Sequence, residues 1–185
     1  MDHFLLVDGV IAAQTPRIEA AFRSILSGFS TIIEIGFDRG ALSLWLHENK
    51  EVDTKLVCYD ISFGNKLIND KSIDFRLGDC FDNATIEEIK ELIQSPGKTL
   101  VLCDGGSKEK EFGLFSRFLK EGDVIMLHDY AHSDEDYQRV MGETGWKTAA
   151  ESRLENIQNF ISEFNLTPYH YDVFKDALWG SFIKL

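Results

Sequence analysis

Short apolar runs alternate with helical stretches through the middle of the chain, and this alternation limits the folds that the sequence can adopt. Five runs are rich in apolar residues: Thr31–Ile35, Lys55–Tyr59, Asp74–Leu77, Thr99–Cys103 and Val124–Leu127. Apolar residues at consecutive positions are typical of parallel strands covered on both faces. Helical spacing lies between the runs, at Ala41–Asn49, Ile86–Gln94 and Glu109–Lys120, and more weakly at Phe63–Asn69. The pattern predicts βαβ units and therefore an α/β fold with a doubly wound, mostly parallel sheet.

The two ends of the chain carry a different pattern. Residues 1–28 are predicted to form a helical lead-in, with one helix at Arg17–Leu26. Near the other end, a helix at Arg153–Phe164 precedes two extended segments, Tyr169–Phe174 and Trp179–Lys184. Because their connection is short, we expect these two segments to pair as an antiparallel hairpin at one edge of the sheet.

Length and composition indicate a single domain, residues 1–185, with an acidic surface. Of the 185 residues 44% are hydrophobic, and the net charge is −12 at pH 7. Such a surface repels phosphate backbones and anionic lipids, so neither nucleic acid nor a membrane is an expected partner. Three cysteines, with no evident secretory signal and no long apolar stretch, favour a reducing, cytoplasmic location. A small molecule is the expected partner, and the sequence leaves open whether the protein forms a homo-oligomer.

A loop rich in glycine and acidic residues follows the first predicted strand. Gly36 would permit a tight turn, and Gly40 would let the next helix pack closely on the strand. Asp38 occupies the position of the middle glycine in a GxGxxG dinucleotide loop, which disfavours a pyrophosphate there. Together with Glu34 it favours a cationic ligand, such as a methionine sulfonium with its α-amino group. The alternative is an ordinary turn with a solvated aspartate.

Acidic residues also end the next two strands. Asp60 lies 20 positions after Gly40, close to the spacing at which a carboxylate reaches ribose hydroxyls. Asp79 and Cys80 follow the third strand, where an aspartate can accept a hydrogen bond from the exocyclic amine of adenine. The alternative for each is a helix cap or a turn residue, and NAD would use the same acid as any adenosine ligand. The carboxyl ends of parallel strands share one edge of a sheet, so the acidic strand ends together indicate an adenosine-binding site.

The segments Glu34-x-Gly36-x-x-x-Gly40 and Gly78-Asp79-Cys80, with Asp60, resemble the cofactor motifs of class I S-adenosylmethionine (SAM)-dependent methyltransferases. The resemblance spans nearly the whole chain. It implies a Rossmann-like, seven-stranded sheet that ends in the antiparallel hairpin, with SAM as the cofactor and methyl transfer as the reaction. The residues that would bind SAM are Glu34, Gly36, Asp38, Gly40, Asp60, Asp79, Cys80 and Asp104.

Polar residues follow the fourth and fifth strands as well. Asp104 ends one strand, and His128 and Asp129 end the next, so their side chains are expected to face one pocket. The arrangement resembles small metal-dependent O-methyltransferases, of the catechol type and of the cephalosporin hydroxylase-like group. The resemblance implies Mg²⁺ or another divalent cation, bound by Asp104, His128 and Asp129. The alternative is that Asp104 contacts the cofactor amine while the other two line a metal-free acceptor pocket.

Two residues depart from the pattern of those metal-dependent families. His128 stands where they carry a carboxylate, and imidazole is a softer ligand than Mg²⁺ prefers. Lys108 follows Asp104 by four positions, whereas the catechol-type catalytic lysine follows by three. Asp129 and His128 are the candidate general bases, because both end a central strand, and Lys108 is a third candidate catalytic residue.

The expected acceptor is a hydroxyl group of a small molecule. The segment after the fourth strand, Asp104-Gly105-Gly106, differs from the Asn-Pro-Pro-Tyr-like segment of enzymes that methylate nucleic-acid bases. The lead-in from Gly9 to Pro16 resembles the Gly…Gln-x-Pro lead-in of the cephalosporin hydroxylase-like group. Two other functions stay open: an NAD-dependent oxidoreductase, which Asp38 disfavours, and a non-catalytic SAM-binding module.

Overall fold

A computed structural model describes residues 5–144 and 152–185 of the protein. The strands are β1 (Leu6–Val7), β2 (Val10–Ile11), β3 (Thr31–Ile35), β4 (Lys55–Asp60), β5 (Asp74–Leu77), β6 (Thr99–Cys103), β7 (Val124–His128), β8 (Tyr130–Ala131), β9 (Ser152–Arg153), β10 (Leu166–Pro168) and β11 (Trp179–Lys184). The helices are α1 (Ile18–Arg23), α2 (Ala41–Asn49), α3 (Asn83–Gln94), α4 (Lys108–Ser116), α5 (Asp134–Thr144), α6 (Leu154–Glu163) and α7 (Tyr171–Phe174).

The centre of the described structure is a seven-stranded sheet in the order β10-β11-β7-β6-β3-β4-β5. β3 pairs in parallel with β4 on one side and with β6 on the other. β11 runs antiparallel to both of its neighbours, β7 and β10. The chain winds outward from β3 to β5 and returns to the other side of β3, so the strand order reverses between β3 and β6. This confirms the predicted doubly wound, Rossmann-like fold with an antiparallel pair at its C-terminal edge.

Helices cover both faces of the sheet, which explains the consecutive apolar residues of the central strands. Every residue of β3, β6 and β7 is buried. One face packs against α1, α2 and α7 through side chains such as Phe22 and Trp45. The other packs against α3, α4 and α6 through side chains such as Phe112 and Ile157. The sheet thus forms the rigid layer from which the loops at its carboxyl edge project.

The prediction of a strand at Tyr169–Phe174 is wrong, although the predicted antiparallel pair is present. The edge strand is β10, and most of the predicted segment forms α7. His170 has a left-handed backbone, with φ of 50°, directly before this helix. Phe174 is buried, and its ring centroid lies 5.4 Å from that of Phe22. Burial of Phe174 in the core therefore decides the conformation of a segment that was too short to specify a strand.

The weak helix predicted at Phe63–Asn69 is also wrong. The backbone N–H groups of Leu67 and Ile68 donate to the carbonyl oxygen of Arg39, at 3.1 and 3.2 Å. Ile68 is buried, and its Cβ would lie 3.1 Å from a Cβ placed on Gly40. The segment is thus held by the loop after β3, and not by the repeated hydrogen bonds of a helix.

The lead-in contains a β-hairpin as well as a helix. β1 and β2 pair antiparallel across Asp8 and Gly9, whose φ values of 47° and 75° suit the tight turn of a two-residue hairpin. The backbone N–H of Leu5 donates to the carbonyl oxygen of Gln14 at 2.7 Å. Within the described residues the helical part of the predicted 1–28 lead-in is limited to α1, and the hairpin delivers a buried Gln14 to the sheet.

All three cysteines, Cys58, Cys80 and Cys103, have free thiols and are buried. Burial raises the pKa of Cys103 well above its ordinary value, so this thiol stays protonated and packs as a small apolar side chain. Among residues 5–144 and 152–185, no helix has both the length and the apolar character needed to cross a membrane.

We expect Gly113→Ala to lower the free energy of unfolding by about 1–3 kcal/mol, because the added methyl overpacks the contact between α4 and α6. A Cβ on Gly113 would lie 2.5 Å from Cζ of Phe160. Chemical denaturation measures the change. Gly142→Ala in α5 is the matched control, since no described atom lies within 4 Å of its Cβ, and it should leave stability unchanged or raise it. Equal losses in both variants would contradict the packing argument.

Candidate active site

A cleft of about 390 Å³ opens where β3, β4, β5 and β6 end. It lies at the reversal of strand order, where doubly wound sheets bind their ligands. Six of the residues predicted to bind a cofactor line it: Gly36, Asp38, Asp60, Asp79, Cys80 and Asp104. The described residues that line the cleft do not include Glu34 or Gly40.

Gly36 brings the loop after β3 against the loop after β6. Its φ is 89°, in the left-handed region that favours glycine. A Cβ at this position would lie 2.4 Å from the carbonyl oxygen of Asp104, so a side chain would push the two loops apart. The backbone N–H of Asp38 donates to Oδ2 of Asp60 at 3.0 Å. The glycine loop is therefore held against the ends of both neighbouring strands, with the Asp38 side chain exposed.

Asp60 and Asp79 present carboxylates beside exposed apolar side chains. Oδ1 of Asp60 accepts a hydrogen bond from the backbone N–H of Ser62 at 3.1 Å. Oδ1 of Asp79 accepts one from the backbone N–H of Phe81 at 2.9 Å. The side chains of Ile61 and Phe81 line the same part of the cleft and are 73% and 42% exposed. Oriented carboxylates next to open apolar surface suit a ligand with hydroxyl or amine donors and a flat ring.

Glu34 and Gly40 support the loop from the α2 side instead of lining the cleft. Oε2 of Glu34 accepts a hydrogen bond of 2.5 Å from Oγ of Ser43 in α2. Burial raises the pKa of Glu34 from 4.5 to about 7, and no described group lies within hydrogen-bond distance of its Oε1. Gly40, with φ of 83°, lets α2 begin close to Ile68 and Phe75, which is the packing role that the sequence predicts.

A buried glutamate that the sequence analysis missed holds the loop after β6. Oε2 of Glu111 accepts from the backbone N–H of Gly105 at 3.1 Å, and Oε1 accepts from that of Ser107 at 3.0 Å. The side chain is only 1% exposed, and burial raises its pKa above the ordinary value. An acidic residue in the first turn of a predicted helix, where it can meet free N–H groups, was the signal that could have identified it.

Asp104, His128 and Asp129 come together beside the cleft, and of the three Asp104 lines it. Nδ1 of His128 lies 2.9 Å from Oδ1 of Asp104 and 3.5 Å from Oδ1 of Asp129. Asp129 has a left-handed backbone, with φ of 55°. Burial favours the neutral imidazole, but the carboxylates of Asp104 and Asp129 outweigh it and raise the pKa of His128 above its ordinary value. The cluster joins the ends of β6 and β7.

Two residues far away in the sequence complete this cluster. Nε2 of Gln14 donates to Oδ2 of Asp104 at 2.7 Å, and Oε1 of Gln14 accepts from Nε1 of Trp179 at 2.9 Å. The rings of Trp179 and His128 have centroids 4.9 Å apart. The Gly…Gln-x-Pro resemblance of the lead-in was the signal that could have identified Gln14. Trp179 carried no comparable signal.

Lys108 adds a buried positive charge to the cluster. It is the first residue of α4 and is 8% exposed. Its Nζ lies 2.9 Å from Oδ2 of Asp129, which is the partnered environment that a buried lysine requires. The structure therefore brings the three predicted catalytic residues, Lys108, His128 and Asp129, into one cluster.

The cluster suits a divalent metal in its spacing but not in its hydrogen bonds and charge. One nitrogen or oxygen atom from each of Asp104, His128 and Asp129 lies within 4.8 Å of the others. Three of the carboxylate oxygens, however, already pair with donors from Gln14, His128 and Lys108. The third ligand would also be an imidazole nitrogen, where Mg²⁺ prefers oxygen. The donor set present here therefore fits Mg²⁺ poorly.

No family profile and no curated protein matches the sequence, and the similarity lies in the fold. CmcI-N160 in its apo form covers 98% of this chain and 76% of its own, at 15% identity and a TM-score of 0.70. CmcI-D160 with Mg and SAM covers the same shares at 16% identity and a TM-score of 0.67. MycE methyltransferase from the mycinamycin pathway, with Mg and S-adenosylhomocysteine (SAH), covers 92% of this chain and 48% of its own, at 15% identity and a TM-score of 0.54. The likeness shows a methyltransferase fold.

Proposed function

We propose that the protein is a SAM-dependent methyltransferase that transfers a methyl group to a hydroxyl oxygen of a small molecule. The observation that carries this proposal is the convergence of four acidic side chains, one from the end of each of four neighbouring parallel strands, on a single cleft: Asp38, Asp60, Asp79 and Asp104. SAM is cationic at its sulfonium and its amino group, so such a lining attracts it. CmcI-D160 and MycE, which share the fold, hold SAM and SAH respectively.

The groups of the cleft match three parts of SAM. Asp60 would accept hydrogen bonds from the ribose hydroxyls, and Asp79 would accept one from the adenine amine, beside the apolar surface of Ile61 and Phe81. The close approach of Gly36 to the backbone of Asp104 leaves that end of the cleft to the methionyl amine and the Asp104 carboxylate. When bound, SAM supplies an electrophilic methyl group.

The acceptor side must orient a hydroxyl group and remove its proton. Asp129 and His128 are the general-base candidates, because they lie at the end of β7, next to the Asp104 side chain that lines the cleft. Gln14 and Trp179 fix the Asp104 carboxylate and the His128 ring. Most of the catalytic effect then comes from holding the acceptor oxygen in line with the methyl group.

The same acidic lining disfavours NAD. Its pyrophosphate would lie among carboxylates, with Asp38 where dinucleotide loops carry glycine. The net charge of −12 likewise opposes nucleic acid and anionic membranes. A small-molecule acceptor is therefore part of the proposal.

Titration calorimetry with SAM, SAH and NAD tests the cofactor. We expect SAM and SAH to bind and NAD not to bind. Asp60→Asn should weaken SAM binding by about 10-fold or more, because hydrogen bonds to a charged carboxylate are lost. Asp70→Asn is the matched control, since Asp70 also accepts a hydrogen bond from a backbone N–H two residues later but lies outside the cleft. Tight NAD binding without SAM binding would refute the proposal.

Turnover separates an enzyme from a SAM-binding module. SAH release is followed with a panel of phenols, sugars and hydroxy acids, and with SAM alone as the blank. Acceptor-dependent SAH and an O-methylated product detected by mass spectrometry are the expected result. SAH formed equally in the blank would indicate methyl transfer to water, whereas products other than SAH formed from SAM alone would indicate SAM cleavage without methyl transfer.

A further inference from the structure

We propose that the ammonium group of Lys108 supplies the positive charge that a divalent cation supplies in metal-dependent methyltransferases, and that the cluster around Asp129 therefore binds no divalent cation. The role of Lys108 in catalysis rests on the proposed function. The prediction that the cluster binds no divalent cation rests on its geometry alone.

Three of the four carboxylate oxygens of Asp104 and Asp129 already have a partner. Oδ1 and Oδ2 of Asp104 pair with Nδ1 of His128 and Nε2 of Gln14, at 2.9 and 2.7 Å. Oδ2 of Asp129 pairs with Nζ of Lys108 at 2.9 Å. A metal bound by these residues would have to displace at least one partner of Asp104, in a site where the side chains of Gln14, Lys108 and His128 are all less than 9% exposed.

A positive charge already lies beside Asp129. A doubly charged cation coordinated by this carboxylate would lie next to the buried ammonium of Lys108. The repulsion between them is twice that between two single charges at the same distance, and burial leaves little solvent to screen it. The pair of carboxylates already has a compensating cation, so a metal would add repulsion as well as attraction.

Lys108 is held in place by the start of α4. It begins α4, and the loop that leads into this helix is fixed by the two hydrogen bonds from Gly105 and Ser107 to Glu111. With 8% of its surface exposed, Lys108 has little room to turn into solvent and leave the carboxylate to a metal.

For catalysis, Lys108 acts as a positioning residue. Its ion pair with Oδ2 of Asp129 directs Oδ1 of the same carboxylate toward His128, 3.5 Å away. The ammonium also keeps a positive charge near the oxygen from which the proton leaves. CmcI-D160 and MycE, which share the fold, contain Mg.

The test is a gain of metal binding when the lysine charge is removed. Loss of the free Mn²⁺ signal in electron paramagnetic resonance reports Mn²⁺ binding, and calorimetry with MgCl₂ reports Mg²⁺ binding. The wild type should bind either ion with a Kd no tighter than about 1 mM. Lys108→Met and Lys108→Gln should each tighten Mn²⁺ binding by at least about 10-fold. Lys110→Met, which changes an exposed lysine of the same helix, is the matched control and should behave as the wild type.

Further variants locate the new site and guard against loss of structure. Adding Asp104→Asn to Lys108→Met should abolish the gained binding, and Lys108→Arg should not bind Mn²⁺. One tight Mn²⁺ in the wild type, or no gain in a folded Lys108 variant, would overturn the proposal; if neither Lys108 variant folds, the wild-type titration decides it. Failure of SAM to bind would instead refute the proposed function and leave these metal titrations unaffected.

Discussion

Gly36→Ala is expected to weaken SAM binding by more than about 100-fold, because the added Cβ has no space and the backbone conformation opposes it. The Cβ would lie 2.4 Å from the carbonyl oxygen of Asp104, a backbone atom that moves only with the loop after β6. Separating the two loops displaces the carboxylate of Asp104 from the cleft and from His128. Titration calorimetry with SAM and SAH measures the loss.

Gly28→Ala separates the steric effect from backbone strain. Gly28 has φ of 87°, close to the 89° of Gly36, but no described atom lies within 4 Å of its Cβ. The Gly28→Ala variant should therefore lose only about 1–2 kcal/mol of stability, from the strained backbone of alanine, and should keep its affinity for SAM. If Gly36→Ala binds SAM as tightly as Gly28→Ala does, the close approach of the loops is not required for binding.

Glu34→Gln is expected to remove about 3 kcal/mol of the change in unfolding free energy that the wild type shows as the pH rises. Burial raises the pKa of Glu34 from 4.5 to about 7 in the folded protein, and each pKa unit corresponds to ~1.4 kcal/mol. The folded state binds the proton more tightly than the unfolded state does. The stabilisation is therefore complete below pH 4.5 and is lost as the pH rises to and through about 7. Glutamine does not titrate, so the variant should gain stability relative to the wild type between pH 4.5 and 8.

Urea denaturation at several pH values measures this difference. Any effect of the glutamine amide on stability that does not depend on pH cancels when the pH values are compared. Glu51→Gln removes the same charge at an exposed position and controls for the general effect of a less acidic protein. A difference between Glu34→Gln and the wild type that does not vary with pH would show that folding leaves the pKa of Glu34 unchanged.

The sheet could be predicted because burial on both faces leaves a strong pattern in the sequence. The bounds of β3, β5 and β6 agree with the predicted strands. Prediction failed at Phe63–Asn69 and Tyr169–Phe174, where contacts with Arg39 and with the core around Phe22 decide the conformation. Short segments carry too little local preference to resist such contacts.

The acids of the site could be predicted because parallel strands place their carboxyl ends together. Glu34 does not line the cleft, because it belongs to β3 itself and not to the loop beyond it. Alternate side chains of a strand point to opposite faces, and that of Glu34 points toward Ser43 in α2. The pairing of Lys108 with Asp129 and the contact of Trp179 with Gln14 depend on how distant elements pack, which no local pattern records.

The hydrogen bond between Gln14 and Trp179 also bears on when the site forms during folding. It joins residues 165 positions apart, and closing so long a loop costs conformational entropy that shorter loops avoid. Trp179 reaches His128 only after β11 has been inserted beside β7. A chain still emerging from the ribosome can build the first strands and their helices, yet Gln14 and His128 lack their contacts with Trp179 until β11 is in place.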